Sequence, residues 1–184
     1  MKFNPQIHHR RSIRLPDYDY CQPGAYFITL VTYQRDCLFG NIVSVDMQLS
    51  PMGQIADEHW RAIPEHFPHV ELGAYVVMPN HVHGIIIIRE NGMAAKSLPS
   101  AGARHASPLR PNGVKPRSIG AIVGSYKSAV TKRIGRECNV TGVWQRNYYE
   151  HIIRNDADYN RIHRYIESNP ANWVRDHEYS VKST

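Results

Sequence analysis

The sequence predicts an α+β domain with a ferredoxin-like βαββαβ core: an antiparallel sheet, helices packed on it, and one further helix at the C-terminal end. Three observations predict it. Two extended runs, 70–78 and 81–89, are separated by only two residues. Two helical stretches with N-cap signals each lie between extended runs, and the 81–89 run is apolar on both of its faces. At 184 residues the chain suits a single domain over 1–184, because two halves would each bury little core.

Each element has its own reason. Residues 25–33 (AYFITLVTY) are aromatic and β-branched, bounded by Pro23-Gly24 and Gln34-Arg35-Asp36, which is the composition of a strand. Residues 37–49 are expected to form a short strand with turns. Ser50 caps a helix with Pro51 at its first position; Met52, Ala56, Trp60 and Ile63 form its apolar stripe, and Pro64 is expected to end it. Two strands follow, joined by Pro79-Asn80, a pair outside those favoured in tight hairpin turns. Val82, Ile86 and Ile88 alternate with Ile85 and Ile87, so this strand belongs in the middle of a sheet covered on both sides.

From 90 to 117 the periodicity is lost among four prolines and three glycines, and Lys96, Arg104, Arg110, Lys115 and Arg117 make this a basic loop. Ser118 caps the next helix, with Ile119, Ile122, Val123, Tyr126 and Val130 on one face and Gly135 near its end. A strand over 146–153 leads to Asn155, the cap of a last helix with Asp156 and Asp158 in its first turn and Pro170 stopping it.

Composition narrows the function classes. No stretch approaches eighteen apolar residues, which excludes a helical membrane span, and the N-terminus lacks the apolar core of a secretory signal. Cys21, Cys37 and Cys138 show no CxxC spacing, which argues against a disulfide framework or a thiolate zinc site and fits a reducing, cytoplasmic location. The net charge of +6 and pI near 9.3 favour a polyanionic partner, since each Lys or Arg set against a phosphate releases condensed counterions.

Two patterns carry chemistry. In His81-Val82-His83, residues two apart on a strand project their imidazoles side by side, and such a pair can ligate one divalent cation with positions open for an anionic substrate. The same spacing also suits two hydrogen-bonded rings without a metal. In the last helix, Tyr165 and Asn169 are four residues apart and share a face. A phenol can be a covalent nucleophile and an amide oxygen a hard-metal ligand. Ile162 and Ile166 flank the same side, so core packing is the competing reading of Tyr165.

Taken together, Met78-Pro79-Asn80-His81-Val82-His83, the run from Trp144 to His151, and Tyr165-Ile166-Glu167-Ser168-Asn169-Pro170 resemble the REP-associated tyrosine transposases. These are relatives of single-tyrosine, His-hydrophobic-His transposases that act on single-stranded DNA. Arg11 to Leu15, Gln22 to Phe27 and Ser125 to Val130 extend the resemblance over most of the chain outside 90–117. It implies that His81, His83 and Asn169 bind Mg²⁺ or Mn²⁺ at a scissile phosphate. It also implies that Tyr165 is the nucleophile of an endonuclease and transesterase cutting beside REP-type hairpins through a 5′-phosphotyrosine. Asn169 stands where insertion-sequence relatives more often carry Gln. Single-stranded or hairpin DNA would be the partner, bound by a monomer or homodimer.

A phenol with a pKa near 10 is only about 0.1% ionised at pH 7, so such a nucleophile needs a neighbouring cation. Six residues along a helix turn Tyr159 about 240° from Tyr165, which argues against it as a second nucleophile. Glu150 or His151 is a candidate to support the metal site from behind, with packing as the alternative. Arg146 and Arg154 are candidate phosphate contacts, and Lys127 and Lys132 would add phosphate attraction; the resemblance implies that Arg11 and Arg14 grip the stem or the short unpaired foot of the hairpin. Two rivals remain. A histidine-triad nucleotide hydrolase would want a third His at position 85, which is Ile. A non-catalytic binding module would stack bases on Tyr26, Phe27, Tyr33 and Tyr75 of an open sheet.

Overall fold

A computed structural model describes residues 18–90 and 115–175. In chain order the elements are β1 (Gly24–Val31), β2 (Gly40–Val43), β3 (Asp46–Leu49), α1 (Pro51–Arg61), α2 (Ile63–His66), β4 (Val70–Met78), β5 (His81–Ile88), α3 (Ile119–Cys138), β6 (Tyr149–Ile153) and α4 (Asp156–Ser168), followed by a 3₁₀ turn over Pro170–Arg175. With the small β2-β3 hairpin set aside, this is βαββαβ plus α4. The four main strands form one antiparallel sheet in the order β4-β5-β1-β6, the ferredoxin-like arrangement.

The three capping serine and asparagine side chains act as their positions predict. Ser50 accepts from Gly53 N, Ser118 from Ala121 N and Asn155 from Asp158 N. The double-sided pattern of β5 divides the core in two. Val82, Ile86 and Ile88 join Tyr26, Ile28 and Leu30 of β1 beneath α1 and α3, with Trp60, Ile122 and Tyr126. Ile85 faces the other way and packs with Phe27, Ile162 and Ile166, so α4 covers the second face. Gly84 lets Trp60 lie on the sheet, since a β-carbon there would stand 2.2 Å from the indole.

Several boundaries differ from the sequence expectation. The first strand stops at Val31. Thr32 forms an isolated bridge to Trp144, and Tyr33 begins a 3₁₀ turn with Gln34 and Arg35 left-handed. The 37–49 segment makes two strands, because Ser44 and Val45 both take positive φ and close a tight hairpin without the usual Asn-Gly. α1 ends before Pro64, which sits in the first turn of the short α2, where its missing N–H is tolerated. Gly135 does not stop α3. The helix runs on to Cys138, and Asn139 supplies the left-handed cap at φ 54°. The last sheet strand begins at Tyr149, because Asn147 has φ 91° and breaks the extended backbone before it.

The aromatic platform of the binding-module reading is not open. Tyr26 and Phe27 are buried, Tyr75 donates to Asp57, and the exposed Tyr33 lies outside the sheet. Arg11, Arg14 and the greater part of 90–117 lie outside the described residues. Among the described residues no helix is long and apolar enough to cross a membrane.

Candidate active site

His81 and His83 project from the start of β5 toward the α4 face, the side of Ile85. Their ring centroids are 4.3 Å apart, and the two side chains are buried, at 0% and 3% exposure. Each ring is held through Nδ1. His81 Nδ1 lies 2.8 Å from Asn80 Oδ1, and His83 Nδ1 lies 2.9 Å from Thr29 Oγ1. Thr29 is in place because β1 pairs with β5 in the register Thr29 to His83. Asn80 is in place because its backbone carbonyl accepts from Thr32 N and Oγ1, anchoring the Pro79-Asn80 turn. Burial, reinforced by the neighbouring His81, holds the His83 imidazole well below its ordinary pKa. A neutral ring with Nδ1–H donated to an oxygen presents Nε2 as a lone pair, the tautomer that metal-binding histidines use.

Tyr165 lies on α4 over this pair. Its hydroxyl is 3.1 Å from His83 Nε2, and its ring, 41% exposed, stands edge-on to Phe27. The residue therefore does not pack as a core tyrosine; Ile162 and Ile166 do that work on α4. Asn169 is buried at the C-cap, one turn beyond Tyr165. Trp173, in the turn that follows, covers His81 at a centroid distance of 5.9 Å. Among the described residues no group of three His, Cys, Asp or Glu side chains is placed to hold a metal ion.

A cleft of about 380 Å³ opens beside the Tyr165 hydroxyl, with Thr29, His83 and Phe27 at its base and His151 and Arg161 on its rim. His151 Nε2 is 2.8 Å from Asp158 Oδ2, and Arg161 Nη2 is 2.5 Å from Asp158 Oδ1. Those two contacts, His151 first, hold the Asp158 carboxyl below its usual pKa.

The predicted residues therefore separate. Tyr165, His81, His83 and His151 gather at one end of the sheet on the α4 face. Glu150 does not join them; it pairs across from Ile28 on the opposite face of β6, the α1/α3 side, because neighbouring strand residues alternate. Lys127 is on that side too, its ammonium donating to the carbonyls of Gln145 and Asn147 at 2.6 and 3.0 Å. Arg146 and Arg154 are exposed before and after β6 and do not line the cleft. Tyr159 points to β4, its hydroxyl 3.0 Å from where Gly73 would carry a β-carbon.

Thr29, Asp158 and Arg161 escape motif reasoning, while Asn80 and Tyr149 fall inside the quoted motifs without being assigned a role. The three-residue and four-residue steps from Asp158 to Arg161 to Tyr165 are a local signal that places those three along a common side of α4.

Comparison with known proteins agrees with this architecture. The chain is 43% identical over 178 residues to an uncharacterized protein of Haemophilus influenzae, covering 97% of both, and belongs to the same family. A second protein of that organism, described provisionally as a REP-associated tyrosine transposase, is 23% identical over 163 residues, covering 83% of this chain and 73% of its own. A solved structure of a REP-associated tyrosine transposase bound to a REP hairpin shares the fold. Its TM-score is 0.58 at 20% identity, over 88% of this chain and 74% of that one. No protein-family model matches the chain.

Proposed function

We propose that this chain, which resembles the REP-associated tyrosine transposases in sequence and fold, is a metal-dependent single-stranded DNA endonuclease and transesterase with Tyr165 as its nucleophile. One observation carries the reading: the exposed phenol of Tyr165 meets the buried imidazole pair, its hydroxyl 3.1 Å from His83 Nε2.

The donor set fits a divalent cation. His81 and His83 are adjacent, oriented from behind by Asn80 and Thr29, and His83 is kept neutral by burial. Nε2 of each ring, with the amide of Asn169, would hold the ion. The ion would be Mg²⁺ or Mn²⁺. When bound, the ion neutralises charge on the scissile phosphate and fixes phosphorus for in-line attack. Tyr165 Oη forms the new bond to phosphorus as the bond to the 3′ oxygen breaks; the phenol gives up its proton and the departing oxygen gains one. The 5′-phosphotyrosine conserves the phosphodiester, so a later 3′-hydroxyl reverses the step and joins strands. The partner would be DNA with a REP-type hairpin and an unpaired flank.

The test is incubation of the full chain with a hairpin-bearing single strand and Mn²⁺, resolved on a denaturing gel. A slower covalent protein–DNA species is expected for the native sequence and absent for Tyr165→Phe and for the double variant His81→Ala/His83→Ala. Its survival in Tyr165→Phe would falsify the assignment of the nucleophile.

A further inference from the structure

We infer that the cleft beside Tyr165 is a nucleotide subsite, which takes one unpaired base of the DNA strand on the exposed Tyr149 ring, above a floor to which Phe27 contributes only its edge, and turns Arg161 toward the adjoining phosphate. This rests on the proposed cleavage activity and adds where the base next to the cut is held.

The cleft has the two surfaces that such a ligand needs. Its apolar part is Phe27 and Ile162 at the base and the Tyr149 ring at the side. Tyr149 is 50% exposed and stands edge-on to Phe27 at a centroid distance of 6.4 Å. An aromatic ring half open to solvent at the mouth of an apolar cleft lacks the burial that would explain it as packing, and offers a face on which any base can stack. At about 380 Å³ the space is at the small end of ligand sites and of a size to take one base.

The polar rim supplies the other surface. Asp158 holds Arg161 by one nitrogen and His151 by Nε2. A guanidinium has five N–H donors, so this anchoring leaves others for a phosphate oxygen. Arg161 precedes Tyr165 by one helical turn, which sets that charge beside the hydroxyl that attacks phosphorus. Asp158 and His151 act here as positioning residues for Arg161.

The experiment uses the full chain carrying Tyr165→Phe, which binds without cutting, and a fluorescent hairpin oligonucleotide with a single-stranded flank, read by anisotropy in Mn²⁺. Adding Tyr149→Ala is expected to weaken binding about tenfold, whereas Tyr149→Phe stays within about twofold of its parent. Abasic sites placed singly along the flank should include one at which Tyr149→Ala has no further effect. Arg161→Ala should weaken binding to the native linkage several-fold and have no further effect when the scissile linkage is an uncharged methylphosphonate. Covalent adduct in the native chain with no effect of Tyr149→Ala, or with losses that simply add at every abasic position, overturns the subsite and leaves the cleavage reading standing. Failure of the native chain to form adduct, together with failure of its parent to bind the strand, removes both.

Discussion

The imidazoles of His81 and His83 owe their orientation to two small neighbours. Thr29 and Asn80 each occupy one Nδ1, and that leaves Nε2 of each ring as the nitrogen turned away from these neighbours. Thr29→Val keeps the volume and removes the hydroxyl. The Mn²⁺ concentration for half-maximal adduct formation is expected to rise ten- to a hundredfold, with yield recovered at saturating metal. An unchanged half-saturation would show that the hydroxyl does not orient the ring. His81-Val82-His83 was legible from the sequence because strand parity is a local rule. Thr29 was not, because its place opposite His83 depends on a register between residues 54 positions apart.

Among the elements, the helix starts were written plainly in the chain, as Ser50, Ser118 and Asn155 all cap through their side chains. Helix ends were less legible. A glycine inside α3 mimics a stop, while Asn139 does the stopping by adopting the left-handed conformation. Lys127, by composition a candidate phosphate contact, has a structural part the sequence did not display: it ties α3 to the turn before β6. Burial lowers its ammonium pKa to about 8. The unfolded chain therefore binds more protons than the folded one between about pH 8 and the ordinary lysine value of 10.5, so this group makes the fold gain stability as pH rises through that interval. Denaturant unfolding at pH 7.5 and 9.5 is expected to show native stability rising relative to Lys127→Met over that step. Parallel changes in the two chains would mean that the ammonium is not desolvated by the fold.

At the scale of the whole molecule, the ferredoxin-like order followed from the alternation of extended and helical patterns, whereas the face chosen by α4 did not. An amphipathic helix after the last strand can pack on either side; here Ile162 and Ile166 meet Phe27 and Ile85, and that contact delivers Tyr165 to the histidines of its own chain. In the single chain the phenol and the imidazole pair meet without help from a second copy. Mixing Tyr165→Phe with the His81→Ala/His83→Ala chain is expected to restore no covalent adduct, even after prolonged co-incubation. Restored adduct would mean that the tyrosine serves a partner copy. The other phenol of α4, Tyr159, is lodged against Gly73 and out of reach. On the proposed chemistry a lone molecule can therefore carry only one severed end at a time, and lifting out a length of DNA would call for two visits in succession or two molecules side by side.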